Sequence, residues 1–269
     1  MKELSIDELR KIQLDILNEF KRVCEENNLQ YFLSNGTLLG AVKYNGYIPW
    51  DDDVDVCMKR EDYLKLLNVY KDSDKYTLFS HEKNSDYLFP FAKLSNNETI
   101  LIEQCVDNGV QLGVNVDIFP LDGYGNSKSD ADRIFNKMQK LRRRLSRAKI
   151  LPRKNDNLIK KLVKKLLSAF NKLLFGTKRC VKKLDRLAKS LSVKDCNLMG
   201  NTVWGFYGSS EAFRKEVFSE GVVVIFENGQ YVAPKDSDTY LRGLYGDYKL
   251  DPPKEKQVTH HNFNAYKKD

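Results

Sequence analysis

The sequence predicts an α/β fold, a small mixed sheet with flanking helices, interrupted by a basic helical segment. Three observations predict it. Ser5 to Asn27 and Asn157 to Phe175 carry apolar residues at helical spacing. Short apolar or alternating runs at 31–34, 76–80, 89–94 and 114–120 read as strands. From Ser129 the composition shifts to charged helices crowded with Lys and Arg between Lys137 and Lys189. With 269 residues, 41% of them hydrophobic, the chain suffices for one large domain or for a core with an insertion. The boundaries read as a core over 1–126, a basic helical insertion over 127–203, and a segment over 204–269 that completes the core and its site.

In chain order, Ser5 with Glu8 forms a capping box, followed by the stripe Leu9, Ile12, Ile16, Leu17, Phe20, Val23 and Cys24 of a core-packing helix. Tyr31 to Ser34 is a short strand that delivers Asn35, Gly36 and Thr37. The Gly-Thr turn leads into a short helix, Leu38 to Tyr44, closed by the Asn45-Gly46 turn signal. Pro49 and Trp50, the latter read as a core plug, enter a strand running from Asp51 to Met58. Lys59 to Asp62 open the next helix, with Leu64, Leu66 and Leu67 inward. Two strands follow, with Lys93 set between Phe91, Ala92 and Leu94; a cation there needs a partner, either a phosphate or a core carboxylate. Val114, Val116 and Ile118 face one side of a later strand, and Asn115 and Asp117 the other. Asp122, in a Leu-Asp-Gly turn, reads as structural. In the insertion, Asp130 to Ala148 is a charged helix bearing Arg142, Arg143 and Arg144. Asn157 to Phe175 is apolar on one side and cationic on the other, through Lys160, Lys161, Lys164, Lys165 and Lys172. It fits an interfacial membrane helix or a basic helix packed on the domain. Near the C-terminus, Val222 to Phe226 and Gln230 to Ala233 flank an Asn228-Gly229 hairpin signal, and Asp236 to Leu244 reads as a helix.

The stretch from Leu33 to Val56 concentrates the chemistry. Read as a strand, Asp51, Asp53 and Asp55 share a face and Asp52 points away. Three carboxylates together are tolerable around a divalent cation, and hard oxygen donors suit Mg²⁺ or Mn²⁺ rather than zinc. Gly36 and Thr37, at a helix N-terminus, can hold a phosphate on backbone N–H groups. Lys43 can face a phosphate or solvent. Arg60 can neutralise the aspartates, meet a donor phosphate, or form a surface ion pair.

The strings GTLLGAVKYNGYIPWDDDVDV, KREDYLKLL and VDIFPLDG, and further on FENGQYVAP and YLRGLYGDYKLDPP followed by His260 and His261, resemble the LicD family. That family includes bacterial phosphocholine transferases and the animal proteins fukutin and fukutin-related protein. The resemblance implies a nucleotidyltransferase-type core and transfer of a phospho-alcohol from a CDP-activated donor to a sugar. It makes CDP-choline the expected donor and a surface-glycan precursor of teichoic acid or lipopolysaccharide type, carried on a lipid, the expected acceptor, with CMP released. Ribitol or glycerol phosphate transfer is the alternative within the family. The resemblance also implies Asp53, Asp55 and Asp117 as catalytic residues, the metal held by these with Asp51. Donor contacts would come from Gly36, Thr37, Lys43, Arg60, Lys93 and the His261 that follows the double proline.

Charge and cysteine content narrow the classes further. The formal net charge is +8, but a non-catalytic protein binding an anionic polymer gains nothing from an acidic cluster, and no nucleic-acid module is present. Five scattered cysteines without a CxxC pair argue for reduced thiols rather than a disulfide scaffold or structural zinc. No signal peptide or membrane span is apparent, so the expected location is cytoplasmic, peripheral at the inner face of the plasma membrane.

Overall fold

The structure is a computed structural model that describes residues 1–153, 155–259 and 263–268. A short strand, β1 (Lys2–Glu3), precedes helix α1 (Ile6–Glu26). The capping box forms as the sequence predicts: Glu8 N–H donates to Ser5 Oγ (3.2 Å) and Ser5 N–H donates back to Glu8 Oε2 (2.9 Å). The α1 stripe is buried at Leu9, Ile16, Leu17, Phe20, Val23 and Cys24, with Ile12 partly buried.

The main sheet is built from β2 (Phe32–Leu33), β3 (Asp55–Lys59), β4 (Tyr76–Phe79), β5 (Ala92–Asn96) and β7 (Asn115–Gly125), in the order β2-β3-β7-β5-β4. The β3–β7 pair is parallel and the other neighbours are antiparallel. Helices α2 (Asn35–Tyr44) and α3 (Arg60–Val69) flank β3 in the chain. The strand between β5 and β7 in sequence, β6 (Thr99–Glu103), joins a second sheet instead. There β12 (Phe263–Lys267) lies between β1 and β6, so both ends of the chain meet. The far half of β7 pairs with β8 (Leu198–Gly200), which pairs with β9 (Phe213–Arg214). A hairpin of β10 (Gly221–Phe226) and β11 (Gly229–Pro234) leads to α7 (Ser237–Tyr245). This is the mixed α/β core that the sequence predicts.

Three helices occupy the middle of the chain: α4 (Lys128–Lys149), α5 (Leu158–Phe175) and α6 (Thr177–Lys189). Two of them build the same core as the sheet. Ile134, Met138 and Leu145 of α4 and Val181 and Leu184 of α6 are buried in one apolar cluster with Val116 and Ile118 of β7. The cysteines are thiols, four of them buried.

Two boundaries differ from expectation where the site lies. The strand expected to start at Asp51 starts at Asp55, and 51–54 is irregular. A short Asp side chain competes for backbone donors, and Asp52 N–H here donates to Asp51 Oδ1 (3.2 Å). The α2 helix starts at Asn35, not Leu38, with Ser34 in extended geometry before it. The Gly-Thr pair is therefore the helix's own first turn.

Candidate active site

Parallel pairing of β3 and β7 sets Asp55 directly beside Asp117, and antiparallel pairing of β7 with β5 sets Asp117 beside Lys93. Val116 and Ile118 are fully buried, so the alternation of β7 turns Asn115 and Asp117 to the opposite face. Asp55 is fixed from α2: its N–H donates to Thr37 Oγ1 (2.8 Å), and Asn35 Nδ2 donates to its Oδ2 (3.0 Å). The Tyr240 hydroxyl of α7 orients that amide by donating to Asn35 Oδ1 (3.1 Å).

The loop ahead of β3 carries the other carboxylates. One oxygen each from Asp51, Asp52 and Asp53 lie within 4.8 Å of one another. The strand reading had Asp52 pointing away; because this segment is a loop, period-two alternation does not apply, and Asp52 joins the group. Its Oδ2 also accepts from the Thr259 hydroxyl (2.5 Å). Burial first, and then the charge of Asp53, push the Asp51 carboxyl up to about 8. Hard anionic oxygens crowded in this way, and made costly by one another, fit a divalent cation such as Mg²⁺ or Mn²⁺.

Helix α1 holds the loop in shape. Arg10 Nη2 donates to the carbonyls of Ile48 (3.1 Å), Pro49 (3.0 Å) and Asp51 (2.7 Å), and Gln13 Nε2 donates to Asp52 O (2.8 Å). Nothing in the α1 stripe marks these two residues; only docking brings them to the loop. Gly36 has its own role, because a Cβ there would collide with the Asp51 carboxylate.

The residues assigned to donor phosphates are placed unequally. Thr37 is buried and its hydroxyl oxygen takes the Asp55 N–H, so its side chain fixes a strand rather than lining an open cradle. Lys43 pairs with Asp251 (2.7 Å) and donates to Tyr248 O (3.2 Å). Arg60 sits past the far end of β3 from Asp55. It is buried in a bidentate pair with Asp122 (2.8 and 2.6 Å) and in a third contact with Asp185 (3.1 Å). Arg60 thus meets aspartates other than those of the acidic loop, in a buried pair. Asp122 is structural, as read. Lys93 is buried, ion-paired to Asp117 and bonded to Asn115 Oδ1 (3.1 Å). Burial would lower its pKa, but the Asp117 charge overrides this and holds it above the ordinary value. His261 lies outside the described residues. Trp50, expected as a core plug, is half-exposed, edge-on to Tyr44.

An aromatic wall adjoins the carboxylates. Lys93 lies over the rings of Phe89 (5.2 Å) and Phe91 (5.4 Å). Trp204 packs on both, and Phe206 packs on Trp204. Tyr207 meets Tyr245 edge to face at 5.6 Å. Burial raises the pKa of both phenols; for Tyr207 the Glu211 charge adds to it, and the Asp55 and Asp51 charges contribute to both. The wall was invisible in sequence because its members come from the segment ahead of β5, the 201–208 turn and α7.

In comparisons with known proteins, residues 28–164 match the LicD/FKTN/FKRP nucleotidyltransferase domain. The chain is 30% identical over 271 residues, 99% of its own length and 99% of the relative's, to the lipopolysaccharide cholinephosphotransferase LicD of Haemophilus influenzae. A shorter similarity, 38% over 68 residues, covers 25% of this chain and 23% of an uncharacterized protein of Rickettsia prowazekii. The match across both ends of the chain, joined to the α/β core and its acidic loop, makes this chain a member of the LicD family and an enzyme of the phosphotransferase class.

Proposed function

We propose that this enzyme transfers phosphocholine from CDP-choline to a sugar hydroxyl of a lipopolysaccharide-type glycan precursor and releases CMP. The observation that carries the reading is the end-to-end similarity to a lipopolysaccharide cholinephosphotransferase. The aromatic wall supports choline in particular, since a quaternary ammonium is held by aromatic faces beside negative charge. A teichoic acid acceptor uses the same chemistry.

In the reaction, the acceptor oxygen bonds to the phosphorus that carries choline, and the bond from that phosphorus to the CMP oxygen breaks. The acceptor proton passes to a carboxylate, for which Asp117 is the candidate. Mg²⁺ or Mn²⁺ would be held by Asp51, Asp53, Asp55 and Asp117, with Asp52 now included, and would stabilise charge on the donor diphosphate. Asn35 and Thr37 keep Asp55 in place, Arg10 and Gln13 keep the loop closed, and Lys93 adds a fixed positive charge beside Asp117. Trp204, Phe206, Tyr207 and Tyr245 receive the head group.

Incubation with CDP-choline, CDP-ribitol and CDP-glycerol, each with Mg²⁺ or EDTA, tests the reading by CMP release. CDP-choline should be preferred, and EDTA should abolish turnover. Tyr207→Ala should raise KM for CDP-choline more than for CDP-ribitol. Preference for CDP-ribitol or CDP-glycerol by the wild-type enzyme overturns the choline assignment.

A further inference from the structure

Helix α5 is turned the wrong way round for a packing helix. Its apolar residues fall on one half of the helical circumference, and that half faces solvent. Leu158 is 84%, Leu162 58%, Leu166 60%, Phe170 59% and Leu173 83% exposed. The buried residues of α5 are Ser168 and Asn171, both polar. Ser168 docks the helix, its Oγ donating to Ala148 O of α4 (2.8 Å), while Asn171 Nδ2 donates to Leu167 O within α5 (2.7 Å). Lys172 reaches Asp107 (3.1 Å) and ties the polar side to the body of the protein, while Lys164 reaches Asp156 (2.5 Å) in the turn just ahead of the helix. Of the two readings that the sequence left open for this stripe, core packing is excluded by its exposure.

A contiguous exposed apolar face of this length marks an interaction surface. The surrounding charge says which kind. Residues 157–189 contain eleven Lys and Arg against a single acidic residue, the buried Asp185. Lys160 and Lys165 stand exposed along the two margins of the stripe. A second copy docked face to face would bring two such cationic rims together, which like-charge repulsion opposes. An anionic lipid surface instead offers hydrocarbon to the stripe and headgroup charge to its margins. No helix among the described residues is long and apolar enough to cross a membrane, so the contact lies in the interfacial plane.

We infer that α5 is a membrane-docking helix that seats its outward apolar face in the headgroup boundary of an anionic bilayer, with Lys160 and Lys165 on the lipid phosphates. This surface is independent of the choline assignment.

The test is co-sedimentation of the full chain with phosphatidylglycerol–phosphatidylcholine vesicles and with pure phosphatidylcholine vesicles, at low and high salt. The wild type should bind the anionic vesicles at low salt and be released as salt rises. Leu166→Ser/Phe170→Ser/Leu173→Ser should lose binding while keeping its melting temperature, because the altered side chains face outward. Lys160→Gln/Lys165→Gln should weaken binding about 30-fold; Lys164 and Lys172 are spared because both are ion-paired within the protein. A wild-type protein that ignores anionic vesicles at low salt overturns the inference, as does binding that survives the triple serine change. A wild-type dimer that the serine variant converts to monomer shows that a second copy covers the face, and overturns it equally.

Discussion

At the scale of single residues, the acidic group is held by short-range constraints that substitutions can separate. Asp53→Asn or Asp55→Asn should cost ~10²–10³ in rate of CMP release with the fold retained, since each removes one charge-stabilising group. Normal turnover in a folded Asp55→Asn protein would remove it from the machinery. Gly36→Ala tests the loop by shape alone: the added methyl must displace the Asp51 carboxylate, and a misplacement of that kind costs on the order of 10²-fold in kcat. An unchanged Mg²⁺ requirement and rate would show that Asp51 is not used. Asp117 carries two duties, as it also neutralises the buried Lys93. Asp117→Asn should therefore lose stability as well as activity, and Asp117→Asn/Lys93→Met should recover the stability and none of the activity. Recovery of activity in the double variant would refute a chemical role for Asp117.

Glu211 gives a pH signature. It is buried and accepts the N–H groups of Phe206 and Tyr207, and burial raises its carboxyl from 4.5 to about 7. A carboxyl whose folded pKa stands above the unfolded one favours the fold fully below 4.5, and that contribution is lost as pH rises through about 7. Glu211→Gln cannot ionise. The wild type should therefore fall relative to the variant by about 3 kcal/mol between acidic and mildly alkaline pH, read from urea midpoints. Parallel stability profiles for the two proteins would contradict this.

At the scale of elements, helix α1 and strand β3 are coupled through the loop between them and the sheet. Arg10 takes three loop carbonyls, and no other element contributes such a clamp among the described residues. Arg10→Ala should raise the Mg²⁺ concentration needed for half-maximal rate and lower kcat, with helix content intact by circular dichroism. The Arg60 pair has the opposite character. It joins α3, β7 and α6 by burying one guanidinium against Asp122 and Asp185. Arg60→Ala leaves the buried Asp122 without its cation, while Asp185 keeps Lys189 (2.7 Å), and should cost about 3–5 kcal/mol in denaturant unfolding. At a temperature where the variant remains folded, its KM for donor should be unchanged; a selective rise in KM would return Arg60 to the donor site.

At the scale of the whole molecule, the sequence by itself determined the local elements and the presence of an acidic site. The capping box at Ser5, the alternation around Asp117 and the Leu33–Val56 motif are short-range patterns, and backbone periodicity and capping chemistry are local physics. The sequence also marked α5 as amphipathic. It could not say which side faces the protein, because the hydrophobic pattern is the same for a helix packed on a core and one offered to a membrane. Only the tertiary structure decided that, through Ser168 on α4 and the Lys172–Asp107 ion pair. It likewise decided that Arg60 belongs to a buried network, that the acidic strand begins at Asp55, and that α4 and α6 complete the core. At the site and the Arg60 network the deciding partner lies far away in sequence: Asp122 and Asp185 for Arg60, Arg10 and Gln13 for the loop, and the segment ahead of β5, the 201–208 turn and α7 for the aromatic wall. A charged or aromatic side chain states its chemistry in the sequence, but the fold chooses the neighbour that satisfies it.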